Sequence, residues 1–428
     1  MTALAAPARV PMFASLALRN YRLFFTGGFV SNIGTWMARV AQDWLVLTVL
    51  TNNSAVALGI VTGLQFLPTA VLAPWAGSVA DRLPKRRVLM VTQLGLTVTG
   101  LALAALVLGG QVQLWHVYLL AFIQGCAAAF DGPARQSFAP EMVPTHLIAN
   151  SVGLNTTSFH AARLVGPAVA GLTIAWWGVG PALLLNAMSF VAVLAALVAM
   201  DPRELAPAPV SRRGGGVMEG VRYVRNRPDI MVVMFLVFML GTFGLNFQLT
   251  NSLMATAVFD VGPEEFGLMG SVMAIGSLSA GLLAARRTRI RLRLVVAALA
   301  AFTLSTALLA LSPGYLWYLA LLLPTGLAAL TVMTAANTSV QMAVEPEMRG
   351  RVMALYMAIF LGGTPLGSPL LGWVGDAWGP RWTIAIGSIA CGIAVVVTVL
   401  YLLRRNGWEW PRLHDLDPAL VDVPDEAR

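Results

Sequence analysis

Charge is what this chain most lacks. Acidic and basic residues make up 11% of its 428 residues, where a soluble domain carries roughly 25%, so a surface made for water all round is excluded. Lysine is rarer still: Lys85 stands alone among arginines, a bias that fits a GC-rich bacterial coding sequence. Cysteine is limited to Cys126 and Cys391, in different halves of the chain and without a partner at metal-ligand spacing. Both read as small apolar packing residues. The histidines (His116, His146, His160 and His414) are scattered singly. Zinc motifs, phosphate-binding loops and nucleophile elbows are missing, so an enzyme, a metalloprotein and a nucleotide-driven machine all lack the residues they need.

Long apolar runs take their place. Twelve stand at 23–48, 57–80, 88–110, 114–133, 150–176, 181–200, 230–255, 266–285, 292–311, 315–338, 350–374 and 382–403. Each is about 20 residues or longer, enough at about 1.5 Å rise per residue to cross a hydrocarbon core of about 30 Å. This predicts an all-α membrane protein with twelve transmembrane helices in two pseudo-symmetric six-helix bundles. Residues 1–22 form a basic lead-in, 23–200 the first bundle, 201–229 a linker, 230–403 the second bundle and 404–428 a polar, proline-containing tail expected to be disordered. The lead-in lacks the ordered regions of a signal peptide, so the first run is kept as a helix.

A net charge of +8 could suggest nucleic acid, but its placement indicates topology. If the N-terminus is cytoplasmic, all of the 28 basic residues except Arg39, Arg163 and Arg381 fall in cytoplasmic loops, helix edges beside them, or termini. The positive-inside rule then puts both termini in the cytoplasm.

The two halves echo each other. Pro140-Glu141-Met142 recurs as Pro346-Glu347-Met348, and Trp177-Gly178 as Trp378-Gly379. Gly166 through Gly171 is echoed by Gly367 through Gly372, and Gly77-x-x-x-Asp81-Arg82 by Gly281-x-x-x-Ala285-Arg286. Paired halves related by symmetry suit a bundle whose interface opens to either side. Between them, Pro202, Pro207, Pro209 and Gly214-Gly215-Gly216 make a flexible tether. Val217, Gly220, Val221 and Val224, with Arg222, Arg225 and Arg227 opposite, then make a short amphipathic helix expected to lie on the anionic inner leaflet.

Between the second and third runs stands Gly77-Ser78-Val79-Ala80-Asp81-Arg82-Leu83-Pro84-Lys85-Arg86-Arg87. This stretch resembles the signature of the major facilitator superfamily, Gly-x-x-x-Asp-Arg-x-Gly followed by two basic residues, with Pro84 in place of the usual glycine. The resemblance implies a latch between the halves that holds an outward-open state. In it Gly77 lets the helices approach, and Asp81 accepts hydrogen bonds from the start of the eleventh run, near Arg349-Gly350-Arg351. Arg82, Lys85 and Arg86 belong to the same latch, with Asp131 expected to pair with Lys85 and Arg135 nearby. The fifth run carries Gly153, Ala162, Gly166, Pro167, Ala170 and Gly171, the spacing of that superfamily's antiporter motif with two alanines for glycines. That motif implies an exporter. Gly34-Thr35-Trp36-Met37, Gln42-Asp43-Trp44 and Asp131-Gly132-Pro133-Ala134-Arg135-Gln136 are similar to the branch of enterobactin exporters and macrolide efflux proteins, the transmembrane secretion effectors.

Three charges sit inside apolar runs: Arg39 and Asp43, four apart on one helix face, and Arg163. Such groups are either paired for structure or placed for function. If the family arrangement holds, runs 1, 4, 7 and 10 line the cavity, and the polar or aromatic candidates there are Asn32, Trp36, Gln124, Asn246, Gln248, Asn251, Asn337 and Gln341. Few fixed charges suit a bulky, partly apolar ligand. The resemblance implies a monomeric transporter of the bacterial inner membrane, driven by the proton gradient without a cofactor or nucleotide, exporting a drug-like or siderophore-like molecule. Lysophospholipid transport is the alternative, and a membrane scaffold or sensor a more distant one.

Overall fold

The computed structural model describes residues 11–206, 217–285 and 292–405, and every regular element among them is a helix. The first half contains α1 (Arg19–Trp44), α2 (Ala55–Arg82), α3 (Lys85–Leu108), α4 (Leu114–Phe138), α5 (Ile148–Trp177) and α6 (Val179–Ala199). A linker helix, α7 (Val217–Arg225), precedes α8 (Pro228–Met239), α9 (Phe247–Leu253), α10 (Pro263–Ala285), α11 (Leu292–Ala310), α12 (Tyr315–Ala343), α13 (Pro346–Gly362), α14 (Thr364–Trp378) and α15 (Pro380–Arg405). The glycine-rich tether and the tail of the sequence reading lie outside the described residues.

Ten of the described crossings are long and apolar enough to span a bilayer by composition. The other two are α1 with its continuation and α5, the helices that carry Arg39, Asp43 and Arg163. α8 and α9 form one crossing, joined by a π-helical turn at Leu240–Gly244. Its backbone opens at Leu245 and Asn246, and the Asn246 side chain repairs the break, donating to the Thr242 carbonyl at 2.8 Å and accepting from Ser368 Oγ at 2.7 Å. A freed backbone group inside a membrane protein needs such a partner. α13 and α14 likewise form the eleventh crossing.

The echo between halves is structural as well as sequential. α1 ends in a π turn, Leu45–Leu50, followed by Asn53 at φ 58°. α9 ends in a π turn, Met254–Val258, followed by Asp260 at φ 49°. Gly178 (φ 86°) and Gly379 (φ 100°) close α5 and α14, each donating its amide to the carbonyl four residues back.

Burial divides the molecule by level. At the end of the bundle away from the N-terminus and linker, here the distal end, one apolar core unites both halves. Leu45, Leu58 and Ile174 of the first half share it with Leu253, Phe266, Met269 and Leu371 of the second. At the proximal end there are two separate cores. Tyr21, Phe24, Leu89, Phe138 and Leu197 form one in the first half, and Ile230, Val237, Leu299, Phe302 and Val340 one in the second. The halves therefore meet distally and part proximally. Proximal hydrogen bonds run within the first half: Ser15 to Asn150, Tyr21 Oη to the Ser151 carbonyl, and Asn20 to the Asp201 backbone. The linker helix α7 docks on protein: Gly220 lies against the Arg351 backbone, Val224 is buried, and Glu219 pairs with Arg351 at 3.1 Å.

Gly178 and Gly379 occupy backbone conformations that side chains rarely adopt, at a cost of about 1–3 kcal/mol for another residue. Gly178→Ala and Gly379→Ala are each expected to lower the thermal unfolding midpoint in detergent. Gly153→Ala, within α5 and with open space around it, should leave the midpoint level or raise it.

Candidate functional site

A cavity of about 860 Å³ runs from the proximal end to mid-bundle, and all its lining residues belong to the first half. Ser31, Asn32, Gln42, Gln65, Gln124 and Asn186 give it polar walls, Phe24, Phe66, Phe159 and Phe190 aromatic ones, and Arg39, Asp131 and Arg135 its charges. Of the expected candidates, Asn32 and Gln124 line it; those of the second half do not, and each has a hydrogen-bond partner. Asn246 mends the backbone break, Asn251 accepts from Tyr318 Oη at 2.7 Å, and Gln341 donates to Asn337 one turn back at 2.5 Å. Gln248 reaches across the halves and donates to Asp43 Oδ1 at 2.8 Å. Trp36 also lies behind the lining, held where Gly166 of α5 lets its Cβ approach.

The three intramembrane charges are arranged differently from a simple helix pair. Asp43 is buried and accepts from Gln248 and, at 3.4 Å, from Ser252 Oγ, both in the second half. Among the described residues Arg39 makes no ion pair within 4.0 Å. Its guanidinium stands 4.8 Å from the Trp36 ring centre and 5.6 Å from that of Phe66. Arg163 stands 5.3 Å from the same Trp36 ring. One indole is thus flanked by two guanidiniums, a cation–π arrangement.

The residues grouped as a latch act within the first half in this state. Lys85 pairs with Glu141 at 2.6 Å, not with Asp131. Glu141 sits in the turn after α4, while Asp131 is already supplied by Arg135 at 3.0 Å, Thr92 at 2.9 Å and Gln93 at 2.7 Å. Arg86 donates to the carbonyls of Leu197 and Val198, capping the end of α6 where the helix dipole favours a cation. Arg82 is exposed, and a Cβ at Gly77 would meet nothing within 4 Å, so the expected close approach there is not made. The Asp81 side chain lies outside the described residues.

Close approach occurs at the other end of the same helix. Gly59 of α2 abuts the Ser368 carbonyl, and Gly372 of α14 abuts that of Ala55. Asp376 completes this seam by capping α2: Oδ1 accepts from the Ala55 amide at 2.6 Å, and Oδ2 from Ser54 Oγ at 3.0 Å and the Val56 amide at 3.1 Å. The second seam joins α5 to α10. Gly171 meets the Pro263 carbonyl, Gly267 that of Pro167, and Ser271 Oγ donates to the Leu164 carbonyl at 2.8 Å. Gly166, Pro167 and Gly171 of the antiporter-type motif therefore lie at helix contacts, whereas Gly153 faces open space.

Comparison with known proteins gives this arrangement its family. A family model described as transmembrane secretion effector matches residues 10–422. The chain belongs to that family. It is a multi-pass membrane transporter of the major facilitator type, and not an enzyme. The staphyloferrin A transporter of Staphylococcus aureus is 24% identical over 388 residues, covering 90% of this chain and 96% of that one. The multidrug efflux pump Tap of Mycolicibacterium fortuitum is 28% identical over 417 residues, covering 93% and 97%. Macrolide efflux protein A of Streptococcus pyogenes is 24% identical over 406 residues, covering 90% and 98%. Among solved structures, a POT family transporter superposes with a TM-score of 0.74 at 11% identity, over 92% of this chain and 99% of that one. An inward-facing bacterial homologue of the human lysosomal transporter Spinster superposes with a TM-score of 0.69 at 14% identity, over 92% and 99%.

Asp376 is the residue in this secretion effector that sequence reasoning missed, and its signal was present. Gly372-Trp373-Val374-Gly375-Asp376 repeats the Gly-x-x-x-Asp spacing of Gly77 to Asp81, at the opposite end of the partner helix. Removing an exposed cap of this kind costs about 1 kcal/mol, roughly a fivefold shift in a two-state population. With Cys126 and Cys391 replaced by alanine, spin labels at Asn52→Cys and Ala377→Cys should report a short distance across the distal seam. Asp376→Ala is expected to add a longer component, and an unchanged distribution would remove Asp376 from the seam.

Proposed function

We propose that this chain is a secondary active exporter of the inner membrane that works by alternating access, with both termini cytoplasmic. The carrying observation is the pairing of a sealed distal end with a polar cavity reaching the proximal end. With the termini inside, this is an inward-open state ready to load from the cytoplasm. The arginine-rich proximal loops support that orientation, and the named activities of the relatives, staphyloferrin A transport and macrolide and multidrug efflux, support export of a drug-like or siderophore-like molecule.

Energy comes from protons in this reading. Asp43 is a carboxylate buried between the halves, and its hydrogen-bond donors belong to the second half. Opening the distal seam withdraws those donors from the Asp43 carboxylate, so proton exchange at Asp43 is coupled to the movement of α9 away from α1. Asp81 and the start of α13 are proposed to close the proximal end in the opposite state. The cavity, about 860 Å³, falls within the range of small-molecule sites, roughly 300–1,000 Å³.

The test uses inside-out vesicles, acidified inside and loaded with a proton-gradient dye, to which siderophores, macrolides and cationic drugs are added singly. A transported compound is expected to collapse the gradient with the native chain and not with Asp43→Asn or Asp81→Asn. If no compound does so while labelled lysophospholipid crosses the membrane, lipid transport replaces this reading.

A further inference from the structure

The charges around the cavity do not balance, and the surplus has one sign. Asp131 is matched by Arg135 and by the donors of Thr92 and Gln93. Lys85 is matched by Glu141. Asp43 is one turn from Arg39 on α1, yet it is engaged by Gln248 and Ser252 of the second half. Arg39, in the cavity wall, is left with the ring faces of Trp36 and Phe66 and no protein carboxylate within 4.0 Å among the described residues. Arg163 adds a second guanidinium on the other contact of Trp36. Stacking on a ring holds a guanidinium in place while leaving its in-plane N–H donors available. Asp43, whose donors Gln248 and Ser252 are neutral, offsets only one of the two guanidiniums about the indole, so one positive charge is left over at the wall in a medium that screens poorly.

We propose that the cargo of this transporter is an organic anion, and that Arg39 receives its carboxylate or equivalent acidic oxygen in the inward-open state. The inference rests on the export reading for its direction, but its charge preference stands apart from transport. Gln42 Nε2, a donor, and Asn186 Oδ1, an acceptor, belong to wall residues and are buried without a hydrogen-bond partner; the first suits an acidic oxygen and the second a hydroxyl or N–H of the cargo. The aromatic walls take the apolar part of the molecule. A cation is disfavoured because the acid in the wall, Asp131, is already occupied.

The same geometry contains a release step. When the distal seam opens, Gln248 and Ser252 move away with the second half, and Asp43 is left four residues from Arg39 on the same helix face. Asp43 and the cargo then compete for one guanidinium, and the cargo leaves on the open side. Binding and release are thereby set by which partner Asp43 holds.

Equilibrium dialysis of the purified full-length protein in detergent tests this with three labelled naphthalene probes of one ring and different charge: the carboxylate, the carboxamide and the methylammonium. The carboxylate is expected to be retained roughly tenfold more tightly than the carboxamide, the scale of one charged hydrogen bond, and the methylammonium least. Arg39→Gln should bring the carboxylate to the level of the carboxamide, whose own binding stays put. Arg39→Lys should keep part of the preference, and Asp43→Asn should bind the carboxylate at least as tightly as the native chain. The ranking in the native protein needs no variant to fold. Equal retention of the three probes, preference for the methylammonium, no retention of the carboxylate, or a preference that survives Arg39→Gln would each overturn the proposal. Vesicle flux separates this from the export reading. A transported cargo that is cationic and indifferent to Arg39→Gln sinks the anion alone, whereas a carboxylate bound at Arg39 but never moved sinks export alone.

Discussion

Two pairs of helices approaching to backbone contact at the distal end are the constraint on which the molecule depends. Lipid tails are as apolar as leucine, so burying apolar side chains gives helices in a bilayer little reason to associate, and close packing of small residues replaces that drive. Gly59 against Ser368, Gly372 against Ala55, and Gly171 and Gly267 across the α5–α10 contact let carbonyls and Cα atoms touch. The shared core containing Leu45, Phe266 and Leu371 follows from that contact. The separate proximal cores, and the cavity in the first half, follow from its absence at the other end.

Much of this was legible in sequence, for a physical reason. A crossing needs about 20 apolar residues whatever its partners, so the count of crossings, the halves and the loops could be read from composition alone. The repeated Trp-Gly pairs mark backbone turns that only glycine makes comfortably, and local chemistry of that kind survives in sequence. The antiporter-type glycines and Pro167 were visible as small residues, but their partners, Trp36, Pro263 and Gly267, could not be read from spacing. Pairing choices were also hidden. Lys85 had two acids within plausible reach, and which one it met depended on where the turn after α4 placed Glu141.

The cavity was the least legible part. Polar residues in the seventh and tenth crossings look like ligand contacts in sequence, yet Asn246 repairs a helix break and Asn251 bonds Tyr318. A buried amide serves the backbone or a neighbouring side chain as readily as a substrate. The pair four residues apart on α1 carried a similar ambiguity: Arg39 and Asp43 share a helix face, but a partner from the other half decides whether they meet. Tertiary contacts outrank local spacing wherever both are available.

The confinement of the cavity to one half bears on how the two bundles divide their labour. A molecule held between two moving jaws loses half its contacts whenever the jaws part, so capture and release are built into the motion itself. Here the lining comes from the first six crossings alone, so in the alternating-access cycle proposed above the first bundle would serve as a cup and the second as a lid. In that proposed cycle, rocking the lid changes which doorway the cup faces while leaving most of its walls intact. Affinity must then be altered by a message carried into the cup from outside it. In the proposed cycle the bond from Gln248 to Asp43, which joins the two halves, is the strand along which such a message would pass.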